Sequence, residues 1–223
     1  MADLNRFHEQ VKRGDLNAVC MTLEEHPEFL DAANESGQCA YLLAKYYRQE
    51  ETASYLLNLN PRLDVFNASV AGLVPVVLRE ILANPALLEA HSSDGWTPLH
   101  LAAFFGHADL ANALLDRGAN IEARSTNGMK NTPLHAAAAG GHTALVKLLL
   151  DRGADANARQ QGGFAALHSA AQAGNSKMAE LLIAHGSDVD ARAENNQAAL
   201  DLALMKGHPE VSGLLEHLGA KLR

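Results

Sequence analysis

The sequence predicts an all-α fold, a solenoid in which repeated helical units stack side by side. Three observations lead to this prediction: a seven-residue motif recurs, its spacing is nearly constant, and its residues favour a sharp helix start. The copies begin at Thr97, Thr132, Ala165 and Ala198, so the steps between them are 35, 33 and 33 residues. A unit of this size cannot bury its own apolar face, so several units must stack.

Each motif is predicted to begin the first, inner helix of a repeat. In the first copy, Thr97 suits the N-cap, and Pro98 suits the first helical position, where a missing N–H costs little. Leu99, Ala102 and Ala103 then fall on one face of the helix. Because two of these three side chains are small, another helix can approach this face closely.

A glycine column is predicted to separate each inner helix from the outer helix that follows. Its members are Gly14, Arg48, Gly72, Gly106, Gly141, Gly174 and Gly207, which gives seven repeats. Glycine is favoured there because a left-handed helix cap tolerates no larger side chain well. The outer helices are expected to end at Gly118, Gly153, Gly186 and Gly219, or before Pro27 and Pro85 in repeats one and three.

Short turns, the fingers, are predicted to lead into the inner helices. Ser93-Asp94-Gly95 and Thr126-Asn127-Gly128 have the residues of tight hairpin turns, and Asn196 is expected to take a left-handed conformation where other fingers have glycine. The join between repeats two and three is about nine residues shorter than the others, because Asn58-Leu59-Asn60-Pro61 runs almost directly into Val65. We expect this join to lack its finger.

No stretch of the chain resembles a linker, so we expect one domain over residues 1–223. The glycine column and the fingers place its seven repeats approximately at 1–35, 36–62, 63–93, 94–126, 127–161, 162–194 and 195–223.

One full motif carries a family resemblance. The pattern Gly95-x-Thr97-Pro98-Leu99-His100-x-Ala102-Ala103-x-x-Gly106-His107, followed by Leu114-Leu115-x-x-Gly118-Ala119, resembles the ankyrin repeat consensus. The resemblance covers residues 95–223 clearly and the first 94 residues more loosely. It implies a β-hairpin or turn finger and two antiparallel helices per repeat, with binding on the fingertips and the concave, inner-helix face.

Composition excludes several classes of partner and location. The net charge of −8 argues against nucleic acid as a ligand. The first residues have no apolar core, and no later run approaches membrane-spanning length, so we expect no membrane partner and a cytoplasmic location. The two cysteines, Cys20 and Cys39, are too few for a disulfide framework and are expected to be small, reduced filler residues.

Eleven histidines raise the question of a metal or catalytic site. Two sets recur once per repeat: His100, His135 and His168 in one column, and His107, His142 and His208 in another. Residues one repeat apart form rows, whereas zinc needs ligands that converge on one point. We therefore expect the first set to fix the start of each inner helix and the second to hold the turn after it. With no nucleophile elbow, phosphate loop or dinucleotide motif, we predict no catalytic residues, no metal and no cofactor.

The candidate partner-binding residues come from the positions that the ankyrin resemblance makes variable. Six of the eleven aromatic residues fall there, and large aromatics are favoured as binding anchors. The alternative is that they pack against neighbouring repeats. A basic column could in addition meet acidic groups of a partner or simply be solvated. The aromatic set is Tyr46, Tyr47, Trp96, Phe104, Phe105 and Phe164, and the basic set is Arg124, Arg159 and Arg192.

These observations predict a non-catalytic scaffold that is a monomer on its own and binds another protein on the concave face. Two alternatives remain open. One is a self-associating structural element, which a native mass measurement would distinguish. The other is an inhibitor or antitoxin-type binder of a specific enzyme.

Overall fold

A computed structural model describes residues 2–218, apart from the side chain of Ala2. Within this range the chain forms fourteen α-helices and three short 3₁₀ helices, with only two isolated β-bridges, Ala33 with Cys39 and Arg192 with Ala198. Within the described residues the fingers are therefore turns, and they do not form extended β-hairpins. The predicted all-α fold class is confirmed.

The chain divides into two compact units, unit 1 at residues 1–71 and unit 2 at residues 72–223. The helices of unit 1 are α1 (Ala2–Arg13), α2 (Leu16–Glu25), a 3₁₀ helix (Pro27–Leu30), α3 (Ala40–Tyr46), α4 (Glu50–Asn58) and α5 (Val65–Val70). Those of unit 2 are α6 (Val74–Ala83), a 3₁₀ helix (Pro85–Leu88), α7 (Pro98–Phe105), α8 (Ala108–Asp116), α9 (Pro133–Ala139), α10 (Thr143–Asp151), a 3₁₀ helix (Gln161–Gly163), α11 (Ala166–Ala173), α12 (Ser176–Ala184), α13 (Ala199–Lys206) and α14 (Pro209–His217).

Unit 2 has two layers of helices. The inner helices α7, α9, α11 and α13 each pack against the next, and the outer helices α6, α8, α10, α12 and α14 do the same. The second residue of each inner helix of unit 2 is a leucine, and its side chain is only 1% exposed in every case: Leu99, Leu134, Leu167 and Leu200. Burying such a side chain contributes about 1.5–3 kcal/mol, so the recurring leucine holds adjacent layers together.

The helix starts and ends follow the sequence closely. All four motif copies begin a helix at the residue after the predicted cap, and the Thr97 hydroxyl accepts a hydrogen bond from the backbone N–H of His100. Gly106 ends α7 with φ +83°, and Arg48 and Asn196 take left-handed conformations at φ +57° and +66°. The predicted cap at Gly219 lies outside the described residues.

One finger differs from its prediction. The Ser93-Asp94-Gly95 turn forms as expected, with Gly95 at φ +78°. In the next finger, however, Gly128 is not left-handed and Lys130 is, at φ +47°. Two extra residues lengthen this finger, so its turn closes between Asn127 and Lys130, whose N–H donates to the Asn127 carbonyl (3.2 Å).

Between α4 and α5, residues 59–64 connect the helices without an isolated bridge. The boundary between the two units follows at Ala71–Gly72, inside the predicted third repeat. A single domain over residues 1–223 stays a prediction.

Candidate functional site

The first histidine column links each inner helix to the following finger. His100 Nε2 lies 3.0 Å from the carbonyl oxygen of Asn131, so Nε2 carries the proton and donates. Its Nδ1 is then an acceptor, and it receives the hydroxyl proton of Thr97 (2.8 Å). His135 repeats this arrangement with Phe164 and Thr132. The predicted role of these histidines at the start of each inner helix is confirmed. Each of the two rings also donates a hydrogen bond to a backbone carbonyl of the next finger.

These histidines are held neutral by their surroundings. Burial lowers the pKa of His100 and His135 to about 4, and it also lowers the pKa of His168. In the last repeat Asp201 takes the histidine position, and its carboxylate accepts from the Ala198 N–H (2.8 Å). A carboxylate can replace the neutral imidazole here because the position needs an acceptor for the helix start.

The second histidine column joins an outer-helix start to the preceding repeat. The Nε2–H of His142 donates to the carbonyl oxygen of Phe104 (2.9 Å), and that of His208 donates to Gln172 (3.1 Å). The ring of His142 lies against Gly106, where an added Cβ would be 2.7 Å from it. Glycine is therefore needed there for space as well as for its left-handed backbone.

The arginine column runs along the fingers and bonds them to one another. Nη1 of Arg124 donates to the carbonyl of Arg159, and Nη1 of Arg159 donates to the carbonyls of Gly163 (2.8 Å) and Arg192 (2.6 Å). Arg192 donates to Asn196 (2.6 Å) and to the Asp201 carboxylate (3.2 Å). One nitrogen of each guanidinium thus binds within the chain.

Sequence reasoning missed two parts of this finger network. His91 occupies the arginine position of the third repeat, and its Nε2–H donates to the Arg124 carbonyl (3.2 Å). In addition, the residue two positions before a member of the arginine column accepts a backbone N–H of the next repeat through a side-chain oxygen. The carboxylate of Glu122 accepts the N–H of Asp155 in this way (2.8 Å), and side-chain oxygens of Glu89 and Asn157 make the equivalent bond. The regular spacing of these residues, each two positions before His91, Arg124 or Arg159, was visible in the sequence and could have predicted this row of bonds.

The predicted aromatic residues of repeat four form one cluster. The rings of Trp96 and Phe104 meet edge to face at 5.0 Å between centroids, and those of Phe104 and Phe105 do so at 5.2 Å. All three side chains are half-buried. We call Trp96, Phe104 and Phe105 the aromatic cluster; it lies at the end of α7 and in the finger before it.

The remaining predicted aromatics do not join this cluster. Phe164 is half-buried and packs edge to face on His168 at 5.5 Å. In unit 1, Tyr46 is half-buried, while Tyr47 is 53% exposed. The ammonium group of Lys12 lies 5.6 Å from the centre of the Tyr47 ring.

Beyond the aromatic cluster, the matching positions of the next inner helices have small or uncharged residues, until the last one has a methionine and a lysine. The two residues before the inter-helix glycine are Phe104 and Phe105 in α7, and Gln172 and Ala173 in α11. At the end of α9 they are Ala139, its last residue, and Gly140, which follows it. In α13 they are Met205, which is 70% exposed, and Lys206.

Among the described residues, no group of three or more His, Cys, Asp or Glu side chains could hold a metal ion. Between residues 2 and 218, no helix is long and apolar enough to span a bilayer. Comparison with protein-family models finds a match to ankyrin repeats (3 copies), over residues 7–125, 67–160 and 134–223.

Proposed function

This chain belongs to the ankyrin repeat family, and from that premise we propose that it is a non-catalytic scaffold that binds another protein. Ankyrin repeats are generally protein–protein interaction modules and are typically not enzymes. We propose that the partner binds the inner-helix face, the concave face in this family.

The observation that supports this surface is the aromatic cluster. Three large rings touch one another at the end of α7 and remain partly exposed, in a chain with only eleven aromatic residues. Energetically dominant interface residues are enriched in Trp, Tyr and Arg and lie in well-packed positions. Rings that are already packed against one another also lose little conformational freedom on binding.

Tyr47 is proposed as a second anchor, because it is the most exposed of the predicted aromatics. Phe164 and Tyr46 belong to the same proposal. The arginine column contributes less, because one nitrogen of each guanidinium already binds within the chain. Replacing an arginine would loosen the fingers as well as remove a charge.

The test compares two truncations of exposed apolar surface in unit 2. The first variant is Phe104→Ala with Phe105→Ala. The matched control is Leu82→Ala on the outer helix α6, where the side chain is 84% exposed. Partners are captured from native lysate with the wild type, identified by mass spectrometry, purified, and titrated against each variant.

We expect the double variant to lose about 2 kcal/mol or more of binding free energy, while the control changes binding by less than about 0.5 kcal/mol. Thermal unfolding of each variant separates lost binding from lost folding. If the double variant unfolds early and its folded fraction binds normally, the cluster is packing and the proposal is wrong.

A further inference from the structure

The lengthened finger contains the one Asn-Gly step of the sequence, Asn127-Gly128, which the proposed function does not use. Its Gly128 is exposed and is not left-handed, and a Cβ added there would meet no heavy atom within 4 Å. Among the described residues, no group accepts a hydrogen bond from the Gly128 N–H. Because glycine has no side chain to shield it, this nitrogen is open to reaction with a nearby carbonyl carbon.

Three hydrogen bonds fix the side-chain amide of Asn127, which is half-buried. Its Oδ1 accepts from the hydroxyl of Ser125 (2.9 Å) and from the backbone N–H of Met129 (3.0 Å). Its Nδ2 donates to the carbonyl oxygen of Asp94 in the preceding finger (3.0 Å). Ser125 is only 3% exposed, and its oxygen accepts the N–H of Asn131 (3.0 Å), so its own proton is directed at Asn127.

The two donors on Oδ1 lie where negative charge develops if the amide carbon, Cγ, is attacked. The carbonyl oxygen then becomes an oxyanion, and fixed donors roughly 2.7–3.1 Å away stabilise such an oxygen. Hydrogen bonds to a charged oxygen are about twice as strong as those to a neutral one. The Met129 bond can persist, because after Gly128 N has joined Cγ it closes the same ring as a γ-turn. Only the bond to Asp94 is lost, which slows the reaction by about tenfold at most, so the finger assists the attack more than it hinders it.

We propose that Asn127 is a site of spontaneous deamidation, with water as the only co-reactant. The Gly128 nitrogen gives its proton to water and bonds to Cγ of Asn127. The Cγ–Nδ2 bond breaks, and the leaving nitrogen takes a proton from water and departs as ammonia. Water then adds to either carbonyl carbon of the cyclic imide and opens it, which gives aspartate or isoaspartate. The net change is one amide and one water converted to one carboxylic acid and one ammonia, with no oxidation or reduction.

The product weakens the contact between two adjacent fingers. A carboxylate oxygen replaces the Nδ2–H group, so it meets the Asp94 carbonyl oxygen with no proton between them. The same two fingers are also joined by a backbone bond from the Thr126 N–H to the Gly95 carbonyl (2.9 Å). Isoaspartate in addition lengthens the backbone of the turn by one carbon. We therefore expect the Thr126 amide to become less protected once Asn127 has reacted.

The full chain is incubated at neutral pH and physiological temperature, then digested at acidic pH, where imide formation is slow. Mass spectrometry follows the segment at residues 125–130, and chromatography separates its aspartate and isoaspartate forms. The reference is the free peptide acetyl-Ser-Thr-Asn-Gly-Met-Lys-amide, which has the same sequence and no fold. The variants are Ser125→Ala and, as its matched control, Ser92→Ala. Ser92 Oγ likewise accepts a finger N–H, that of Trp96 (3.2 Å), and makes no bond to Asn127.

We expect Asn127 to react in the folded chain at least as fast as in the free peptide. Ser125→Ala should slow the reaction about tenfold, because one donor to the oxyanion is removed, whereas Ser92→Ala should leave the rate unchanged. A further variant, Gly128→Ala, has open space for its methyl group and should slow the reaction about tenfold by shielding the nitrogen. Thermal unfolding of each variant shows that these rates belong to the folded chain. In the reacted protein, exchange of the Thr126 amide should be faster than before.

Three results would overturn the proposal. If Asn127 stays intact while the free peptide converts, the contacts of the finger protect the amide. A faster reaction in Ser125→Ala than in the wild type leads to the same conclusion. Equal rates in Ser125→Ala and Ser92→Ala would show that the hydroxyl of Ser125 does not act on the oxyanion.

Discussion

Replacing Gly106 tests whether adjacent repeats are joined through the second histidine column. The variant Gly106→Ala places a methyl group 2.7 Å from the His142 ring, at a backbone φ of +83°. The matched control is Gly141→Ala, in the next repeat, where φ is +78° and no heavy atom lies within 4 Å of the added Cβ. Both changes strain the backbone similarly, and only the first displaces a neighbouring side chain.

The two costs can be separated. A left-handed conformation costs a non-glycine residue about 1–2 kcal/mol, which both variants incur. Displacing His142 also breaks its 2.9 Å hydrogen bond to the Phe104 carbonyl, a loss of about 0.5–1.5 kcal/mol, and disturbs the contacts of the ring. We therefore expect Gly106→Ala to destabilise the protein by roughly 2–4 kcal/mol and Gly141→Ala by about 1–2 kcal/mol.

Thermal unfolding followed by circular dichroism measures the difference. For a chain of this length, 1 kcal/mol shifts the midpoint by about 2–4 °C, so Gly106→Ala should melt several degrees below Gly141→Ala. Combining Gly106→Ala with His142→Ala should cost about 1 kcal/mol less than the sum of the two single changes, because the same contact is lost in both. Equal midpoints for the two glycine variants, or strict additivity in the combined variant, would refute the reasoning.

Three further predictions concern the stability of the array. The pKa of His100 and His135 is about 4 in the folded state against 6.5 when unfolded, so the unfolded state binds more protons between these values. The contribution of these histidines to the free energy of unfolding is therefore fully present above pH 6.5, and it is lost as the pH falls towards 4, by up to roughly 3 kcal/mol per histidine. Urea unfolding at several pH values measures this loss. Leu134→Ala should cost about 2–5 kcal/mol in urea unfolding, since the side chain is 1% exposed, and a negligible cost would contradict its place in the core. Amide exchange should be slowest within residues 97–185 and faster at residues 58–64, where the finger is missing, whereas uniform protection would contradict a sum of unequal repeats.

The start and end of each helix were determined by the sequence, because they depend on residues within one helical turn of each other. Thr97 and Pro98 set the start of α7 through a cap and a fixed φ. The left-handed position at Asn196 could be predicted for the same reason. In the lengthened finger the same local reasoning placed the turn at Gly128, whereas Lys130 takes the left-handed conformation. The difference arises because two extra residues change where this turn closes.

Contacts between residues about 29 to 38 positions apart were decided by the tertiary structure. His142 could be assigned to a turn from the sequence, but its bond to Phe104 and its contact with Gly106 exist only once adjacent repeats stack. The arginine column is the plainest example: the sequence shows three basic residues in register, and folding directs one nitrogen of each onto a backbone carbonyl. Local preferences cannot specify such bonds, because they depend on the spacing and register of neighbouring repeats.

The candidate sites divide in the same way. That aromatic residues collect at the variable positions is a property of the sequence, whereas the edge-to-face contacts that make Trp96, Phe104 and Phe105 one cluster belong to the fold.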